Sequence, residues 1–148
     1  MDYAQNMKRL NTALSNIDAA YASIAKRHGL TFNSLMTIYL ICETDGITQI
    51  QICNALYLPK STVHSILRDF IKRDYVKLVE GNNKKEKKII VTSTGDLQFT
   101  KILHETQTIE RNVLDAIGEK TCDFLIRTAE ALGNSFNKEI HAIYGVEG

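Results

Sequence analysis

Apolar residues early in the chain fall at Tyr3, Met7, Leu10, Leu14, Ile17, Tyr21 and Ile24. The steps alternate between four and three, the spacing of a helix packed along a narrow seam. Asp2 and Gln5 stand where a cap and first turn belong, and His28-Gly29 closes the helix. So thin a stripe on a long helix needs a second surface, either its own domain or another subunit, and the spacing favours a subunit interface. Thr31 is predicted to cap a second helix that buries Leu35, Ile38, Tyr39 and Cys42 and closes at Asp45-Gly46. Thr48-Gln49-Ile50-Gln51 reads as a capping box, opening a third helix with Ile52, Ala55 and Leu56 turned inward. Leu56-Tyr57-Leu58 makes the next turn. Pro59 falls at the start of the following helix, where a missing N–H costs nothing.

That fourth helix carries two faces. Val63, Ile66, Leu67, Phe70 and Ile71 form one core-facing stripe, and Ser61, His64, Ser65, Arg68 and Lys72 gather on the opposite side. The outer face is small and polar near its start, then basic. Short side chains let a backbone enter a DNA major groove, and long cations reach phosphates at its rim. A merely solvated helix would mix Glu with Lys there, and this arc has only Asp69 at its edge. Tyr75 to Glu80 and Ile89 to Thr92 then read as two strands, joined by Gly81-Asn82-Asn83 and the run Lys84-Lys85-Glu86-Lys87-Lys88. Two helices on a tight turn followed by a basic hairpin make a winged helix-turn-helix. Two more helices follow, the first using Leu97, Ile102, Leu103, Ile109, Val113 and Ile117 and breaking at Gly118. The second uses Leu125, Ala129, Leu132, Phe136, Ile140 and Ile143, with Gly133 a point where it could bend. The fold class expected is mainly α with a small β-hairpin wing.

Charge sharpens this picture. The chain's net charge is only +1, but Leu58 to Lys88 holds nine basic residues against four acids. That window is therefore +5 and the remainder −4, the footprint of a nucleic-acid binder rather than of a uniformly charged surface. Lysines at a hairpin tip also protect a sheet edge from aggregation; beside a helix-turn-helix, phosphate or minor-groove contact explains them better. Composition, with 44% hydrophobic and 24% charged residues, excludes a disordered chain. Cys42, Cys53 and Cys122 form no CxxC pair, as expected of reduced thiols in a cytoplasmic protein. The first residues lack a basic segment followed by an apolar one, and the longest apolar run, Ile38 to Cys42, is far too short to span a bilayer. No membrane partner is expected.

The order of these parts resembles the MarR family of bacterial transcription regulators over essentially the whole chain. The matching words are Leu30-Thr31, Ile47-Thr48-Gln49, Leu58-Pro59-Lys60-Ser61-Thr62-Val63 and Val91-Thr92-x-x-Gly95. Their order and spacing carry the resemblance; no single word does. It implies a homodimer whose N- and C-terminal helices interlock, in keeping with the heptad seam. It also implies an effector pocket between the dimer helices and the winged motif, often for small aromatic or anionic molecules. Tyr21 and Tyr39 are candidate wall residues, although their apolar context fits core packing better. Three positions depart from the pattern: Asn83-Lys84-Lys85 stands where the family's wing carries Asp-x-Arg, Ser65 replaces an arginine, and Asp74 replaces a glycine. Lysine lacks arginine's planar fork, so this wing suits holding phosphate better than reading a groove.

Competing chemistries find less support. His28, His64, His104 and His141 form no His-x-x-x-His pair and no Cys-His pair, so no metal is expected. A thiol switch is the second rival. The family's redox sensors carry a cysteine in the first helix, which has none here. Cys42 and Cys53 sit on apolar faces, leaving Cys122 as the thiol expected to be exposed. No nucleophile elbow, phosphate-binding glycine loop or carboxylate pair suggests an enzyme or a cofactor. A winged-helix protein-interaction module would not need the lysine-rich wing. The expected organisation is a dimerisation helix over 1–29, a DNA-binding winged motif over 30–95 and dimerisation helices over 96–148. The expected function is a homodimeric repressor of a pseudo-palindromic operator on double-stranded DNA, relieved by a small effector. Ser61, Thr62, His64 and Ser65 would touch base edges while Lys60, Arg68 and Lys72 hold phosphates. Lys84, Lys85, Lys87 and Lys88 would engage the flanking backbone or minor groove.

Overall fold

The computed structural model describes residues 1–83 and 85–145. Their order is α1 (Tyr3–Arg27), α2 (Phe32–Glu43), α3 (Gln49–Leu56), α4 (Lys60–Lys72), β1 (Val76–Glu80), β2 (Lys87–Val91), α5 (Ser93–Ile117) and α6 (Glu119–Tyr144). The chain divides into two compact units, Met1–Glu105 and Thr106–Gly148. No helix among the described residues is long and apolar enough to cross a membrane.

The predicted caps form. The Asp2 side chain accepts from the Gln5 N–H at 3.0 Å, and the Thr31 hydroxyl accepts from the Ser34 N–H at 3.1 Å. Thr48 and Gln51 close a reciprocal capping box, each side chain accepting from the other's backbone N–H. Pro59 is the N-cap of α4, one position before the first turn. α4 ends in a Schellman motif: Asp74 N–H donates to the Ile71 carbonyl and Tyr75 N–H to the Phe70 carbonyl, with Asp74 at φ +58°. That left-handed position favours glycine, and aspartate is among the few other residues that tolerate it.

The first unit's core is built from Leu35, Ile38, Ile52, Val63, Phe70 and Phe99, all essentially inaccessible. Phe70, Tyr75 and Phe99 form an aromatic triangle with centroid distances of 5.5, 5.6 and 6.2 Å. It binds α4, the root of the wing and the first turns of α5 into one body, each tilted or edge-on pair contributing roughly 0.5–1.5 kcal/mol beyond area burial. Gly95 seals the same junction. A Cβ there would lie 1.9 Å from the Tyr75 carbonyl oxygen, so only glycine permits the approach. The Thr92 hydroxyl accepts from the Gly95 N–H at 3.0 Å and donates back to the Asp74 carbonyl. The Thr-x-x-Gly word is thus a cap and a close contact in one.

Several expected core positions are not buried. Ile71 is exposed because it lies about 100° round the helix from Phe70, beyond the arc that Val63, Ile66, Leu67 and Phe70 cover. Ala55 is exposed because the inward arc of α3 turns the other way, through Ile52, Leu56 and Cys53. Cys42 is exposed at the end of α2, where Ile41 takes the buried place. Leu97 is 72% exposed because Phe99 and Ile102 set the buried face of α5 and Leu97 falls roughly opposite. Strand β2 begins at Lys87 rather than Ile89, pairing Glu80 with Lys87 and Val79 with Lys88. α6 runs unbroken through Gly133 and buries no residue.

Candidate nucleic-acid interface

Four residues fix the attitude of α4. Val63, Ile66, Leu67 and Phe70 seat its inner stripe in the core, which leaves Ser61, His64, Ser65, Arg68 and Lys72 exposed on one outward face. Those five line a single shallow groove together with Asp69. Lys60 is exposed at the helix start, whereas Thr62 is half-buried and turned partly away from that face. Asp69 does not oppose the cations beside it. Its carboxylate pairs with Arg73 Nε at 2.9 Å, and the same guanidinium donates to the Gly29 carbonyl at 3.0 Å. Arg73 is therefore a tie between α4 and the turn after α1, and it cancels the one acid on the face.

The wing arranges its lysines unequally. Lys85 and Lys87 line a cleft with Lys60 and His64, between the starts of α3 and α4 on one side and the hairpin on the other. The cleft is about 310 Å³ in volume. Lys88 lies on the opposite strand face from Lys87, by the alternation of the pleat. Its aliphatic stem packs 3.2 Å from where a Cβ on Gly46 would stand, and its backbone bridges Thr48. Lys84 lies outside the described residues.

Two positioning residues escaped the sequence reading. The Asn83 side-chain oxygen accepts from both the Lys85 N–H (3.0 Å) and the Glu86 N–H (2.9 Å), an Asx turn that orders the wing tip. The Gly-Asn-Asn run was the available signal. Gln49 Nε2 donates to the Lys60 carbonyl at 3.1 Å, joining the start of α3 to the start of α4; no local pattern marks a bond that spans eleven residues.

Other candidates find structural places. Tyr21 packs edge-on against Phe32 with centroids 6.4 Å apart, and it and Tyr39 border the core. Cys122 is half-buried rather than exposed. Cys42, although exposed as a residue, has its thiol held above the ordinary value, first by partial desolvation and then by the Asp96 and Glu43 carboxylates. A thiolate is disfavoured there. His28 Nε2 lies 3.0 Å from Glu105, tying the end of α1 to α5. Among the described residues no three His, Cys, Asp or Glu side chains converge on a metal-sized site.

A mainly helical body, a tight helix pair and a two-stranded wing define a winged helix-turn-helix protein. Residues 28–85 match the MarR family model. Over 93% of its length the chain superposes on 97% of a MarR family regulator from Neisseria meningitidis, with a TM-score of 0.80 at 21% identity. It superposes as well on Staphylococcus aureus MepR, solved in a complex with DNA (TM-score 0.72, 15% identity, 92% of this chain and 98% of that one). Staphylococcus aureus MarR, solved with salicylate and kanamycin, gives 0.74 at 15% identity, covering 93% and 95%. No curated protein sequence matches the chain significantly. The family match is confined to the winged segment, and over 93% of its length the chain has the fold of a MarR family regulator.

Proposed function

We propose that the protein is a homodimeric, sequence-specific DNA-binding regulator, most simply a repressor. The outward face of α4 carries this reading: it is polar, then cationic, with its single acid neutralised by Arg73. Ser61, His64 and Ser65 would meet base edges, with half-buried Thr62 in a lesser part, while Lys60, Arg68 and Lys72 hold phosphates. Lys85 and Lys87 extend that grip along the backbone; Lys88, on the other strand face, and Lys84, which lies outside the described residues, would join it. Residues 1–29 and 96–148 serve dimerisation around a DNA-binding domain at 30–95. Leu14, Ile17, Val113, Leu125, Phe136 and Ile140 are each 47–55% exposed in the single chain, apolar surface that a second copy would cover. MepR in its DNA complex and MarR with salicylate, both of this fold, support DNA as the partner and a small aromatic or anionic molecule as the effector. Release would follow only if the effector favours a dimer state that misfits the operator.

Selecting bound fragments from the source genome tests this. The expected result is a pseudo-palindrome with half-sites about 10 bp between centres. Recovery of unrelated fragments at background frequency would contradict it.

A further inference from the structure

The turn between α3 and α4 holds its largest side chain in the open. Tyr57 is 94% exposed, between Leu56 and Leu58, which both pack against the core. Its backbone stands at φ +53°, ψ +39°, the left-handed conformation, as the C-cap of α3. An L side chain is disfavoured there and glycine is not. The neighbours impose the conformation: the N–H groups of Tyr57 and Leu58 both donate to the Cys53 carbonyl. Just beyond the turn, the Gln49 amide holds the Lys60 carbonyl. An aromatic residue in a glycine conformation, with almost no packing to offset it, costs the fold stability. Such strain gathers where function needs the side chain.

The place of Tyr57 says what it would meet. In a helix-turn-helix the first helix crosses the DNA backbone and the second starts in the major groove, so the turn joining them passes one wall of that groove. Tyr57 lies just ahead of Lys60 and Ser61, at the end of α4 that carries the small polar residues. No residue from Ile47 to Pro59 is charged, so a contact from this turn has to be made by a neutral group. A phenol suits it: the hydroxyl donates to an anionic oxygen and the ring covers the sugar beside it.

We propose that Tyr57 is a DNA-contacting residue, its hydroxyl donating to a backbone phosphate oxygen at the wall of the groove that α4 enters. The inference rests on the reading of α4 as the DNA face and adds a contact of another kind. Lys60, Arg68 and Lys72 hold phosphates by charge, whereas Tyr57 fixes how α4 sits in the groove by a directional bond without charge. Its share of the affinity is therefore insensitive to salt, and theirs is not.

The test sets Tyr57→Gly and Tyr57→Phe beside the native full-length protein. A fluorescein-labelled random-sequence duplex is the probe, because a backbone contact is indifferent to sequence. Anisotropy titrations over a range of salt give affinity and slope, and urea unfolding gives stability. Both variants should bind about tenfold more weakly, as loss of a hydrogen bond to a charged acceptor predicts. Their slopes of log affinity against log salt should match the native slope. The urea midpoint of Tyr57→Gly should lie at or above the native midpoint, since glycine suits the left-handed position. A merely structural residue would not lose affinity while keeping or gaining stability. A flattened slope in either variant, or a lowered urea midpoint in Tyr57→Gly, would overturn the proposal. Native affinity in Tyr57→Phe would overturn the hydroxyl as the contacting group. Native protein that binds the duplex with a steep salt slope, and Tyr57→Gly that binds it equally well, would remove Tyr57 alone from the interface. Native protein with no affinity for the duplex would remove the regulator reading and this contact together.

Discussion

Helices α4 and α6 are both amphipathic, yet they use their apolar stripes in opposite ways. α4 sinks Val63, Ile66, Leu67 and Phe70 into the chain's own core and offers solvent a polar, basic face. α6 is twice as long and buries nothing; Phe124, Leu125, Ile126, Phe136, Ile140 and Ile143 all remain 47–71% exposed. Removing an apolar side chain from water is worth roughly 1.5–3 kcal/mol, so a stripe left bare is a stripe awaiting a partner. The two helices therefore call for partners of opposite chemistry. A satisfied inner stripe frees α4 for a polyanion, whereas α6 asks for another apolar surface.

Truncation in the core should produce the largest effect. Phe70→Ala should cost about 3–5 kcal/mol of stability in urea unfolding, and Gly95→Ala a comparable amount by forcing Tyr75 aside. Phe136→Ala in α6 should cost far less in a chain held monomeric by dilution. Equal losses at Phe70 and Phe136 would erase the contrast between the helices. Next in size is assembly. Ile140→Glu should shift sedimentation from a dimer to a species of 16.7 kDa while leaving far-ultraviolet circular dichroism unchanged. A persisting dimer would remove α6 from the interface.

The fold was largely legible in the sequence because its signals are local. The Thr48–Gln51 box, the Thr31 cap and the Gly118 break each act within four residues and form as read, and the Thr92-x-x-Gly95 word, which marks the end of the wing in the sequence, also caps α5. Faces were read less well. Ile71, Ala55, Leu97 and Cys42 are apolar residues at the margin or on the far side of their helices, and sequence period alone does not say how wide a buried arc is. Phe99 went unread because the α5 stripe was phased from Leu97. At the candidate interface the cationic face of α4 was plain, but the neutralisation of Asp69 by Arg73 and the Gln49–Lys60 bond were not. Long-range bonds leave no periodic trace. The wing's lysines looked alike in sequence; the strand register separates Lys87, on the cleft side, from Lys88, whose stem lies over Gly46.

A smaller effect concerns Cys42. Because burial and two carboxylates raise its thiol, the reactive thiolate is scarce at neutral pH and increases only as pH climbs past the ordinary thiol range. Alkylation by iodoacetamide should be slower at Cys42 than for a free cysteine at pH 7.5, and the gap should narrow as pH rises. Faster modification at neutral pH would revive a thiol switch.

The central claim is that the outward face of α4 and the wing beside it neutralise DNA phosphates. Its most direct test is the salt dependence of affinity for duplex DNA, measured for the native protein and for Arg68→Ala, Lys72→Ala and Lys85→Ala. Log affinity should fall steeply with log salt, and each variant should flatten the slope by about 0.9, one phosphate contact apiece. Slopes unchanged in all three variants, or affinity indifferent to salt, would contradict the account.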